Sequence, residues 1–73
     1  MFSADGIRSA IGAIRGVTSV EVETVKPGVA RIRVVGGNPK IVRIAVDVIR
    51  PVAVMVIIEH KANAEATPTE MFL

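Results

Sequence analysis

Few side chains in this 73-residue sequence are of types that do chemistry, and none is spaced for it. His60 is the only histidine and there is no cysteine. A single imidazole without HxxxH, HExxH or paired carboxylates cannot assemble a metal site, so His60 beside Glu59 reads as an ordinary surface residue at a strand end. Ser3, Ser9, Ser19 and the four threonines are the available hydroxyls. None sits in a GxSxG elbow or beside a base that would activate it. Gly36-Gly37-Asn38 precedes a helix start, where unpaired N–H groups can hold an anion. It lacks the third glycine of a dinucleotide fingerprint and the GK[ST] of a phosphate-binding loop, so a tight turn is the expected role. No catalytic residue, metal or cofactor is expected. What remains is charge at strand spacing: Glu21 and Glu23 on one segment, Arg31 and Arg33 on the next.

The elements that carry these charges are organised around residues 29–58. VARIRVV, GGNP, KIVRIAVDVIR and PVAVMVII read as strand, turn, helix and strand. Asn38 suits an N-cap and Pro39 the first helical position. Pro51 ends the helix near Arg50, because the residue before a proline is pushed out of the α region. Six β-branched residues in that helix lower its propensity. The cap decides for helix, with Ile41, Ile44, Ala45 and Val48 as its apolar stripe and Val42, Val46 and Ile49 as a second apolar edge. Lys40, Arg43, Asp47 and Arg50 form the polar line, with Arg43 and Asp47 as an i, i+4 pair. The run 52–58 is β-branched and too short for a membrane span, so it reads as a buried strand. Val54, Val56 and Ile58 lie on one of its faces, and Ala53, Met55 and Ile57 on the other.

Upstream, Ser3 suits an N-cap and Asp5 the positive end of a helix dipole. Ile7, Ala10, Ile11 and Ile14 make its apolar stripe, and Gly16 stands where a left-handed residue would end it. Residues 18–25 alternate, with Val20 and Val22 inward and Ser19, Glu21 and Glu23 outward. Lys26-Pro27-Gly28 is a turn. The next strand turns Ala30, Ile32 and Val34 inward and Arg31 and Arg33 outward. In an antiparallel hairpin these arginines oppose the glutamates, each pair contributing about 0.2–1 kcal/mol. From Lys61 onward periodicity is lost. Residues 61–73 are expected to form a flexible or partner-bound tail, with Met71-Phe72-Leu73 as an apolar latch.

A chain this short forms one small domain, expected over residues 1–60, and buries only about 60% of its unfolded surface. Half of it is hydrophobic, yet only Phe2 and Phe72 are aromatic. The core must be Val and Ile, and a core so small makes association with another chain a reasonable expectation. The formal charge of +2 is uneven: residues 1–50 carry eight basic side chains against four acidic, and residues 51–73 one against three. The basic residues are interleaved with acids and aliphatics, which argues weakly for nucleic acid. No secretory leader and no membrane span are expected.

The passage Arg15-Gly16-Val17-Thr18-Ser19-Val20 is similar to heavy-metal-associated domains, but their CxxC loop is missing and copper transfer is ruled out. KH domains need a GxxG loop that GGNP does not supply, and aromatics to stack on bases are absent. The stretches IRGVTSVEV (14–22), PGVARIRVVGG (27–37), IVRIAVDVIRPV (41–52) and AVMVIIEH together resemble baseplate J-like proteins of contractile phage tails and related prophage particles. The likeness spans roughly residues 4–60 and consists of small and aliphatic residues. This chain departs from the family in being far shorter than a whole wedge protein, and in Ala53 where a glycine is common. The resemblance implies a structural, non-catalytic role: a virion component, found in the tail particle or host cytoplasm, contacting copies of itself and neighbouring baseplate proteins. The expected fold is α+β, two helices on one face of a three-stranded mixed sheet in the order α-β-β-α-β. The expected interface is Ala53, Met55 and Ile57. The alternative is a small basic nucleic-acid-binding module using Arg31 and Arg33.

Overall fold

A computed structural model describes residues 4–50 and 54–72. The chain runs α1 (Ala4–Gly12), β1 (Val17–Lys26), β2 (Val29–Gly36), α2 (Pro39–Ile49), β3 (Met55–Lys61) and β4 (Thr69–Phe72). The four strands form one mixed sheet in the order β1-β2-β3-β4. The α+β class with two helices therefore holds, while the expected three-stranded sheet is corrected to four strands.

The hairpin forms as the alternation dictates. Pro27 and Gly28 make its two-residue loop, with Gly28 at φ 79 where a type II turn needs a left-handed residue. Glu21 then pairs with Arg33 and Glu23 with Arg31. β2 runs parallel to β3 as its direct neighbour, with Ala30 against Val56 and Ile32 against Ile58. A β-α-β link can leave room for an inserted strand between its two ends, but here there is none to fill.

The fourth strand comes from the stretch read as a tail. Asn63 builds the loop that returns it: its side chain accepts from Glu65 N at 3.0 Å and its carbonyl from Ala66 N at 3.1 Å. β4 then pairs antiparallel with β3, Ile58 opposite Met71 and Ile57 opposite Phe72. Met71 packs against the core, so part of the apolar latch is in place. Periodicity missed the strand because four residues hold too few alternations to register.

Ile7 and Ile11 of α1 and Val42 and Val46 of α2 meet Ile32, Val34, Val56 and Ile58 on one face of the sheet. This core is aliphatic throughout. α1 stops at Gly12, four residues before Gly16, and Ala10 is exposed, so the buried stripe is shorter than the spacing suggests. Gly16 does take φ 90, in the turn that enters β1. In α2, Asn38 Oδ1 accepts from Lys40 N at 2.9 Å and Ile41 N at 3.4 Å, which is the expected cap. The inward face of α2 differs from expectation. Val42 and Val46 are fully buried, while Ile41, Ile44 and Val48 stand in solvent. Each apolar edge is bordered by charge, Lys40 and Asp47 beside the expected stripe and Arg43 and Arg50 beside the other, and the edge that goes in is the one that packs with Ile7 and Ile11 of α1 and the strands. Asp47 pairs with Arg50 at 3.3 Å rather than with Arg43.

Candidate functional site: the open face of the sheet

The helices cover one side of the sheet, and among the described residues no helix lies on the other. Strand alternation places on the open side Glu21 and Glu23 of β1, Val29, Arg31 and Arg33 of β2, Met55, Ile57, Glu59 and Lys61 of β3, and Glu70 and Phe72 of β4. Registers align them into rows. One reads Glu21, Arg33, Glu59, Glu70; the next reads Glu23, Arg31, Ile57, Phe72; a third sets Val29 beside Met55.

The charged row is largely self-satisfied. Arg33 Nε donates to Glu59 Oε2 at 3.1 Å, and its Nη1 lies 3.8 Å from both Glu21 and Glu23. Arg31 Nε lies 3.4 Å from Glu59 Oε1 without hydrogen-bond geometry. The Arg33 pKa is raised above its ordinary value, first by the hydrogen bond to Glu59 and then by the charges of Glu59, Glu23 and Glu21. Both residues of the expected basic face are thus central in the sheet and matched by carboxylates. Glu59 bridges them, and pattern reading assigned it no such role, because that role appears only once β3 is known to lie beside β2.

Among the described residues the apolar side of the same face has no such match. Met55 is 56% exposed and Phe72 63%, with half-buried Ile57 between them. Met55 and Ile57 occupy the face expected of them, and Ala53 lies outside the described residues. Phe72 joins them only because β4 exists.

His60 corrects the surface reading. It lies within β3, is 5% exposed, and its Nε2 is 2.9 Å from Gly36 O and 3.2 Å from Gly37 O. As donor to these carbonyls it ties the end of β3 to the double glycine, a fixed structural tie. The double glycine is itself a packing site. A Cβ on Gly36 would come 2.1 Å from Gly16 O, and one on Gly37 would come 2.7 Å from the Val17 side chain. The first helical N–H groups of α2 are already taken by Asn38.

Among the described residues no cluster of three or more His, Asp or Glu is placed to hold a metal ion. A cleft of about 190 Å³ lined by Arg33, Val35, Glu59, Lys61 and Pro68 is smaller than the roughly 300 Å³ at which small-molecule pockets begin. No helix among the described residues is long and apolar enough to cross a membrane. No protein-family model, curated protein or solved structure matches this chain. What the arrangement offers is a docking surface: an apolar strip at the β3–β4 side, bordered by a neutralised ionic lattice.

Proposed function

We propose that this chain is a structural protein–protein interaction domain, a component of a phage or prophage contractile-tail baseplate. It associates with copies of itself and with neighbouring baseplate proteins through the open face of its sheet. Met55 and Ile57 anchor that contact, and Phe72 extends it. The observation that carries the reading is the exposure of Met55 and Phe72 on either side of Ile57, on a face whose two arginines are both paired with carboxylates. Apolar strips rimmed by polar groups mark association surfaces. The baseplate assignment rests on the resemblance over residues 4–60, and it places the protein in the tail particle or the host cytoplasm.

The nucleic-acid alternative is disfavoured by the same geometry. Arg33 has three carboxylates within 4 Å, so a phosphate would have to displace them. No catalytic role is assigned to any side chain.

Light scattering coupled to size-exclusion chromatography on the purified chain at ~100 µM, within the range where weak interfaces associate, tests the interface. The wild type should be a dimer or larger. Met55→Glu or Ile57→Glu should lower its association state, or push it toward aggregation, more than Arg43→Glu does. A strictly monomeric wild type overturns the sheet interface. Mass spectrometry of purified contractile-tail particles tests the assignment, and their lacking this chain's peptides overturns it.

A further inference from the structure

We infer that α2 pairs antiparallel with the α2 of a second copy of this chain, through a surface separate from the sheet face. Ile41, Ile44 and Val48 are 52%, 64% and 77% exposed, although the same helix buries Val42 and Val46 completely. Their spacing, i, i+3 and i+7, is the seam of a two-helix coiled coil. Nothing local requires aliphatics there, since β-branched residues weaken an exposed helix.

The charges on α2 say what covers the seam and in which direction. Lys40 and Asp47 are seven residues apart, each immediately before a seam residue, so they border the same flank. Both oppose the helix dipole: a base sits at the N-terminus and an acid near the C-terminus, with no acid in the first turn and no base in the last. Among the described residues Lys40 has no ion-pair partner within the protomer, and Asp47, 60% exposed, is engaged on one oxygen only.

An antiparallel copy resolves all of this at once. Equivalent flanks face each other, so Lys40 of each helix meets Asp47 of the other. Each acid then sits over the partner's N-terminal turn, and the two dipoles oppose. A parallel copy would set that flank against Ala45 and align the dipoles. The twofold axis passes near residues 43–45. Three aliphatics per helix fall short of the ~800 Å² per partner of a standard interface, so this contact alone is weak.

Sedimentation equilibrium from ~20 to ~500 µM tests it, run on the wild type and on Met55→Glu so that loss of the sheet contact cannot be mistaken for loss of this one. In the Met55→Glu background a dimer should persist. Ile44→Glu should weaken it about tenfold or more. Lys40→Glu and Asp47→Lys should each weaken it about threefold, as exposed ion pairs do, and the double reversal should restore it. The chain has no cysteine, so single cysteines report geometry. Ile44→Cys should form a disulfide-linked dimer. Val48→Cys should not, because at 1.5 Å rise per residue its two copies lie about 10–13 Å apart along the axis, beyond the ~7 Å a disulfide spans. A monomer throughout in the Met55→Glu background, a dimer indifferent to Ile44→Glu, a double reversal that fails to restore, or a Val48→Cys crosslink overturns the inference.

Discussion

Replacing Gly36 with alanine should cost most of this domain's stability, while the same change at Gly12 should raise it. Gly36 ends β2 at φ 85, a backbone conformation an L residue enters at a cost of about 1–3 kcal/mol. The added Cβ would also stand 2.1 Å from the carbonyl oxygen of Gly16 and 3.2 Å from its carbon. Those atoms are backbone, held by the turn into β1, and cannot swing aside as a side-chain tip would. Easing the clash means separating the β1 entry from the end of β2. That in turn disturbs the Gly36 carbonyl on which His60 is anchored at 2.9 Å. Strain and displacement together come to about 3 kcal/mol or more, in a domain whose whole stability is of order 5 kcal/mol. Gly12 differs in both respects: it closes α1, and a Cβ there meets nothing within 4 Å. Alanine in a helix is worth up to about 1 kcal/mol over glycine, or about 4–8 °C in a domain this small. Thermal and urea unfolding followed by circular dichroism reads both. A Gly36→Ala protein with the wild-type midpoint would refute the account of the double glycine.

Three further outcomes are expected. Asn38→Ala removes the oxygen that accepts from Lys40 N and Ile41 N, and urea unfolding should show a loss of about 1 kcal/mol. Val46→Ala should cost about 1.5–3 kcal/mol as a buried truncation, and Ile44→Ala under about 0.5 kcal/mol as a surface change; the reverse order would mean α2 is turned as its sequence first suggests. Binding to DNA or RNA, followed by fluorescence anisotropy, should be weak and should collapse between ~50 and ~200 mM salt, as contact with phosphates alone does. Submicromolar, sequence-selective binding at ~150 mM salt would overturn the ranking of functions.

The hairpin and the cap of α2 were legible because each rests on local rules. Pro-Gly fixes the turn, and the in-out alternation of each strand, kept by a one-residue register shift between Thr24 and Lys26, brings Glu21 to Arg33. Asn38-Pro39 likewise names the start of the helix. The face α2 buries was not legible. Its apolar arc is about 220° wide, from Ile44 round to Pro39, at 100° per residue, and a sheet covers only part of such an arc. Which part goes inward depends on where α1 and the strands already lie. His60 was misjudged for a related reason: β3 continues to Lys61, three residues past the aliphatic run, and the buried partner of His60 is a carbonyl that leaves no trace in sequence. Glu59 and Phe72 needed the tertiary order of β2, β3 and β4 before they had neighbours at all.

The two surfaces lie on opposite sides of the molecule, because α2 sits on the covered face of the sheet and Met55, Ile57 and Phe72 on the open one. Two contacts so placed do not compete for space, and a protomer can use both together. If each pairs a surface with itself, one contact alone closes a dimer, while both acting together extend it or close a larger ring. The strengths should also respond differently to salt. Pairing at α2 depends on Lys40 and Asp47 at exposed positions and weakens as screening shortens the Debye length from ~10 Å at 0.1 M to ~3 Å at 1 M. The Met55 strip is aliphatic and aromatic, and salt screening should leave it largely intact. Met55→Glu should therefore leave a salt-sensitive dimer, and Ile44→Glu a salt-insensitive one. Met55→Glu with Ile44→Glu together should leave a monomer at every concentration up to ~500 µM. Sedimentation of the three variants at ~50 mM and ~500 mM salt separates these states, and a double variant that still associates would show that neither surface is what holds the copies together.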